Sequence, residues 1–259
     1  MKQLRRRNLL FTCIAAIILL ASLDTSAQTK NKEVTYQSHF WTSINSTVRL
    51  TNRWGFIADA HVRRTNFMAD PNFYFLRLGA NYWLKDNITA TLGAATMWVA
   101  PTTPNWQHFA REKRLYLQLQ SVSKAGKLGI LQRLRSEYRW QEKIANDSFT
   151  GNYKFSNRIR YLLSIQIPVF TNPWYPSLVL SDEVLMQFGK EIVYNTFDQN
   201  RAFIGIKQSI SKSLSFDLGY MQVFQQKASG YQYDQNNTFR WFFYYMPDFR
   251  AKAVVSKKQ

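Results

Sequence analysis

Arg133, Arg135, Glu137 and Arg139 fall on alternate positions of the stretch GILQRLRSEYRW, and Arg158 and Arg160 do the same in NRIRY. In an extended strand successive side chains point to opposite faces, so residues two apart share one face. Guanidinium groups and carboxylates gathered on one face can brace a wall through ion pairs, hold an anion through paired N–H donors, or support acid–base chemistry; that is also the order of expectation here. Arg77, Arg114, Glu183, Arg201 and Asp217 take the same phase in their own segments. Glu112, Glu137, Glu183 and Asp217 are the acidic partners this phase offers.

Other chemistry is thin. His61 shares a phase with Asp59 and is the one histidine to consider as a general base, with a wall or rim role the stronger expectation. His39 lies in a polar stretch and His108 in PTTPNWQHF, and the three histidines have no HxxxH-like spacing, so no metal site is expected. There is no GxSxG, phosphate loop or dinucleotide fingerprint, and no cofactor is implied. The basic runs Arg63–Arg64 and Arg111–Arg114 border polar loops and read as solvated rim, with contact to acidic solutes or lipid phosphates as the alternative.

The elements that must position these residues alternate with period 2. In WGFIADAHVRR, Trp54, Phe56, Ala58, Ala60 and Val62 oppose Gly55, Asp59, His61 and Arg63. In FYFLRLGANYW, Tyr74, Leu76, Leu78 and Ala80 oppose Arg77, Gly79 and Asn81; Leu115, Leu117 and Leu119 later alternate with Arg114, Tyr116 and Gln118. Leu128, Leu131, Leu134 and Tyr138 would also line a helix face, but the short turn KAGK before them favours a hairpin. Residues 36–50 precede this set, and weaker segments follow at 177–188, 200–210, 214–224 and 238–246.

Short links at 51–53, 84–87, 124–127 and 210–213 alternate with longer polar ones near 65–72, 100–109, 141–151, 189–199 and 225–237. Aromatics gather near segment ends: Trp54, Tyr82, Trp83 and Trp174 at one rim, Trp98, Trp106 and Trp140 at the other. Short turns, longer loops and aromatic girdles are what an outer-membrane barrel shows. An Arg facing lipid near the midplane would cost roughly 2–4 kcal/mol, so the five at 133, 135, 139, 158 and 160 must point inward.

Residues 1–27 read as an export signal, with Lys2 and Arg5 to Arg7 ahead of an apolar core and Thr25 and Ala27 at the positions a signal peptidase reads. Residues 28–259 form the expected single barrel domain. They carry 30 basic and 15 acidic residues, a formal charge of +15, and no cysteine, since Cys13 lies in the signal segment. Disulfides and thiol chemistry are thereby excluded from the mature chain. In an exported chain that charge faces envelope partners rather than nucleic acid: lipopolysaccharide and other outer-membrane lipid, the barrel assembly machinery, a small anionic ligand or an envelope protein. No segment beyond Leu23 is long and apolar enough for a membrane helix.

The fold expected is all-β: a single antiparallel transmembrane β-barrel of 10 to 12 strands. Eleven segments are counted, but a bacterial single-chain barrel ordinarily has an even number with both termini periplasmic, which favours 10 or 12. A structural or transport-type barrel with a charged Arg/carboxylate lumen is the leading functional expectation. An outer-membrane lipid hydrolase and a binding module for an envelope partner are the alternatives.

The strand pair from Trp41 to Arg63, SEYRWQE with Glu137 and Arg139, NRIRY, SDEVLMQF with Asp182 and Glu183, NRAFIGI with Asn200 and Arg201, GYMQVF (Tyr220 to Phe224) and NNTFRW occur in an order that resembles the domain-of-unknown-function 2490 family of Bacteroidetes outer-membrane barrels. The resemblance implies an outer-membrane β-barrel and brings no activity, substrate or cofactor with it.

Overall fold

The computed structural model describes residues 31–172 and 174–250; the expected signal peptide, residues 1–27, lies outside the described residues. Eleven strands follow one another: β1 (Glu33–Arg49), β2 (Trp54–Thr65), β3 (Asp70–Lys85), β4 (Ile88–Val99), β5 (Ala110–Ala125), β6 (Leu128–Ala145), β7 (Ser148–Pro168), β8 (Ser177–Phe188), β9 (Phe197–Ser209), β10 (Leu214–Gln226) and β11 (Gln232–Tyr245). Each pairs antiparallel with its chain neighbour, and β1 pairs with β11 to close a barrel. The stretch that also fitted a helix, Leu128 to Tyr138, lies within β6.

The even count expected from bacterial barrels is overturned. An odd number of up-and-down strands leaves the first and last running the same way, so their seam must be parallel; it runs from Glu33 opposite Gln232 to Ser46 opposite Tyr245. Consequently β1 enters at the rim carrying the longer loops, and β11 leaves at the rim carrying the short turns. The start of β1 and the end of β11 thus lie at opposite rims, not at one as first expected.

The alternation divides the two faces as its phase requires. Leu76, Leu78, Leu92, Leu115, Leu117, Leu119, Leu134 and Ile159 are exposed on the outside, while Arg114, Tyr116, Arg135, Glu137, Arg158, Arg160 and Glu183 are buried within. The strands run 12 to 21 residues, beyond the five or six common in soluble sheets.

One expected long loop is absent. Residues 141–151 continue β6 and β7 into a two-residue hairpin turn at Asn146 and Asp147, whose φ values of 50° and 52° match a type I′ turn. Asn and Asp tolerate that left-handed region better than most residues.

On the short-turn side the interior is filled by side chains. Tyr116 lies across the directly paired glycines Gly79 and Gly93, and a methyl group on Gly93 would lie 2.5 Å from its hydroxyl oxygen. Only residues without Cβ leave room for that ring. Thr91 donates to the Asn81 side-chain oxygen at 2.6 Å, and the Arg49 guanidinium stacks 4.8 Å from the centre of the Trp83 ring. A smaller apolar cluster of Trp41, Val179, Phe203, Met221 and Val223 is buried on the opposite, β8–β10–β1 side.

Candidate functional site

Strands β5, β6 and β7 lie side by side, and their register brings like charges face to face. Arg135 is directly opposite Arg160, and Arg114 directly opposite Arg139. Such pairs repel across a sheet. Each is reconciled by a carboxylate that both members reach. The Glu137 carboxylate accepts from Arg160 Nη1 at 2.8 Å and lies 3.6 Å from Arg135, while the Glu112 carboxylate accepts from Arg114 at 2.5 Å and from Arg139 at 2.7 Å.

Glu137 is the hub. Besides Arg160 and Arg135 it accepts from Arg158 Nε at 2.9 Å and Nη2 at 2.5 Å, with Arg114 at 3.7 Å. From β8, Glu183 accepts from Arg160 at 2.8 Å, Arg133 at 2.8 Å and Arg201 at 3.4 Å. Asp198 takes the second arm of Arg158 at 2.9 Å. The lumen of this barrel is therefore lined by a buried Arg–carboxylate network.

Two residues grouped with this cluster from the sequence face the lumen but take partners of their own. Arg77 is held by Asp59, its direct cross-strand partner, with Nε 2.6 Å from the carboxylate. Asp217, expected to serve the β6 and β7 arginines, instead holds Arg240 at 2.5 Å and accepts from the Tyr244 hydroxyl at 2.6 Å on the opposite wall. The candidate pair His61 and Asp59 is not brought together. Asp59 is engaged by Arg77, and both His61 ring nitrogens lack a hydrogen-bond partner, the ring standing edge-on to Phe75 and Phe242. Among the described residues no group of three His, Cys, Asp or Glu side chains is placed to hold a metal.

Sequence reasoning missed or misplaced three contributors. Asp198 escaped because a register shift in β9, opposite Leu185 and Met186, breaks the alternation and turns Asp198 and Gln199 both toward the lumen. Arg63 was assigned to a solvated rim but is buried, with its guanidinium 3.4 Å from the Trp41 ring centre and 4.6 Å from that of Phe73. The hydrogen-bonded β1–β2 pair continues past it to Arg64, so the wall shields it; the pairing of Trp41 with Arg63 was the available signal. Arg114, which the sequence put both on the inward phase and in a basic run beside a loop, belongs to the cluster as its phase required, whereas its run-mate Arg111 lies at the edge, paired with Glu142 at 2.7 Å. Arg240 drew no notice because its partner, Asp217, lies on the neighbouring strand β10, a pairing that the residues of β11 alone do not show.

These side chains surround a cavity of about 810 Å³. Thr102, Asn195 and Lys227, from three loops of the longer-loop rim, line its mouth, and Arg133, Arg135 and Tyr244 lie deep; among the described residues none of the opposite turns lines it. One wall is guanidinium-rich, from β5 to β7, and the facing one is partly aromatic, with Trp41, Phe73, Phe75 and Phe242. Apart from Lys154 and the pairs Arg77–Asp59, Arg240–Asp217 and Lys227–Asp234, this space is surrounded by Arg63, Arg114, Arg133, Arg135, Arg139, Arg158, Arg160 and Arg201 and by four carboxylates, those of Glu112, Glu137, Glu183 and Asp198. Eight cations against four anions leave a surplus of four positive charges. Buried donors without acceptors accompany it at Trp41 Nε1 and Arg63 Nε, each costing about 1–3 kcal/mol if left unmet.

The mouth is shaped by a tether. The Asp147 carboxylate, on the β6–β7 turn, accepts the backbone N–H groups of Gln107 at 3.0 Å and His108 at 2.9 Å and so ties down the 100–109 loop. The His108 N–H, then desolvation opposing it, then the Gln107 N–H set the balance, and the carboxyl is held below its usual range. A depressed folded-state value means the tether is intact above the ordinary carboxylate range and is lost as pH falls through the lowered value. In Asp147→Asn, amide hydrogen exchange at Gln107 and His108 should accelerate at neutral pH while the lumen strands keep their protection.

Comparison with protein families matches residues 38–237 to a family described as "Protein of unknown function (DUF2490)". No curated protein and no solved structure matches the chain.

Proposed function

The chain belongs to this family of unknown function, and from that premise we propose that it is an outer-membrane barrel that admits a small anionic solute into a cationic lumen open at its longer-loop rim. The observation that carries the reading is the surplus of eight guanidinium groups over four carboxylates around one cavity. A purely bracing network gains nothing from excess like charge, whereas an anion entering the cavity would relieve it.

The exterior supports the location. Exposed leucines on β3, β4, β5 and β6 form an apolar surface of a kind that water-soluble proteins rarely display so extensively. Trp54, Tyr82 and Trp174 stand near one rim and Trp98, Trp106 and Trp140 near the other, as aromatic girdles do at the two membrane interfaces. The export-signal pattern of residues 1–27 agrees with passage to the outer membrane. Short turns then face the periplasm and the cavity mouth faces outward. That location makes lipopolysaccharide a neighbour and the barrel assembly machinery the route of insertion.

Two measurements test this reading. The thermal unfolding midpoint of the purified barrel in detergent should rise in phosphate or sulfate relative to chloride at equal ionic strength, because a ligand that binds only the folded state stabilises it. In planar bilayers the filled interior on the turn side should prevent a large steady conductance. Equal midpoints in all three salts together with a wide ohmic channel would defeat the proposal.

A further inference from the structure

We infer that the β1–β2 side of the cavity is a subsite for a phosphoryl group, gripped by Arg63 and Arg201 where both guanidinium groups meet the Trp41 ring. This rests on the anion-binding reading and names the ligand chemistry within it.

Arg63 differs from every other guanidinium of the cluster. The other seven each reach a carboxylate, whereas Arg63 has neither an ion pair nor a hydrogen bond among the described residues; it is buried against Trp41 and Phe73. Its charged neighbours are chiefly other cations, Arg201, Arg160 and Arg114, with Glu183 the one acid among them. Arg201 approaches the same Trp41 ring at 5.4 Å and is steadied by Gln199 at 2.6 Å, leaving Glu183 at 3.4 Å as a weak partner.

Beside them the neighbouring polar atoms are also unmet: Trp41 Nε1, Arg63 Nε and both ring nitrogens of His61. Trp41 is directly opposite Arg63, and Ser43 directly opposite His61, so these atoms belong to one patch of two paired strands. Trp41, His61, Arg63 and Arg201 all line the cavity. A patch of buried, mainly donating groups with surplus charge calls for an acceptor-rich anion. A phosphoryl group supplies three terminal oxygens and up to two negative charges, and its geometry matches the forked donors of two guanidinium groups. A carboxylate supplies one charge and two oxygens, and would leave more of the surplus in place.

The test uses the mature chain in detergent and calorimetric titration with three phosphoryl probes, inorganic phosphate, glycerol 3-phosphate and phosphatidate in mixed micelles, and with sulfate and acetate as the competing anions. Wild type should bind at least one phosphoryl probe, and Arg63→Gln should weaken that binding at least tenfold while unfolding at an equal or higher temperature in its absence, since no carboxylate is left unpaired. Arg111→Gln, which lies outside the cavity, should bind as wild type does. Preference for phosphatidate assigns a lipid headgroup as the source, and binding of the two soluble probes assigns a free solute. Should Arg63→Gln not fold, Trp41→Phe, which loses the indole N–H, should weaken binding several-fold, and unchanged binding there would overturn the inference. Equal binding by wild type and Arg63→Gln, or binding of sulfate and carboxylates with no phosphoryl probe, would overturn the subsite and leave the anion-binding lumen standing. Failure of wild type to bind any anion would remove both.

Discussion

Replacing Glu137 with glutamine should lower the unfolding free energy by about 3–5 kcal/mol, the range for removing one partner from a buried ionic cluster. The substitution conserves volume, so packing is not the cause. Arg158, Arg160, Arg135 and Arg114 all lie within 3.7 Å of this carboxylate. The glutamine amide keeps one acceptor oxygen and turns two donors toward groups that can only donate. Arg135 and Arg160, directly opposite each other, then lose the charge that reconciles them. Equilibrium urea unfolding in detergent, followed by heat-modifiable gel mobility, measures the loss. The double variant Glu137→Gln with Arg135→Gln should recover part of it, because residues of one network are not additive. A loss below 1 kcal/mol for Glu137→Gln would mean that the four arginines are satisfied without it.

Leu117→Arg should destabilise the barrel in lipid vesicles by about 2–4 kcal/mol, the cost of a guanidinium at the bilayer midplane. Leu117 is exposed midway along β5, opposite Leu92 on β4, which is also exposed. If that surface faced water, replacing an exposed leucine away from any contact network would change stability by no more than about 0.5 kcal/mol. The measurement therefore separates a membrane barrel from a water-soluble one of the same topology. A near-zero change in vesicles, together with recovery of the mature chain in the aqueous fraction after cell breakage, would reject the membrane location.

Much of the wall was legible because alternation acts locally. Arg133, Arg135, Glu137 and Arg139 share a face in any extended conformation, and the exposed Leu115, Leu117 and Leu119 had to oppose them. Partnership was less legible, because it depends on which strands adjoin and in what register. Glu112, Glu137 and Glu183 join the central arginines, but Asp217 pairs with Arg240 because β10 and β11 form the other wall. Asp198 was hidden by a one-residue irregularity that defeats period-2 counting.

By itself, the order of residues determined the strand phase, the inward arginines and the absence of cysteine beyond Cys13, since the first two follow from residue type at a spacing of two and the third from residue type alone. Tertiary structure alone decided the parallel β1–β11 seam, the lack of an ion-pair partner for Arg63 among the described residues, and the engagement of Asp59 by Arg77 rather than by His61. These depend on where chain segments up to about 200 residues apart come to rest, and a pattern that repeats every second residue carries no information about that closure.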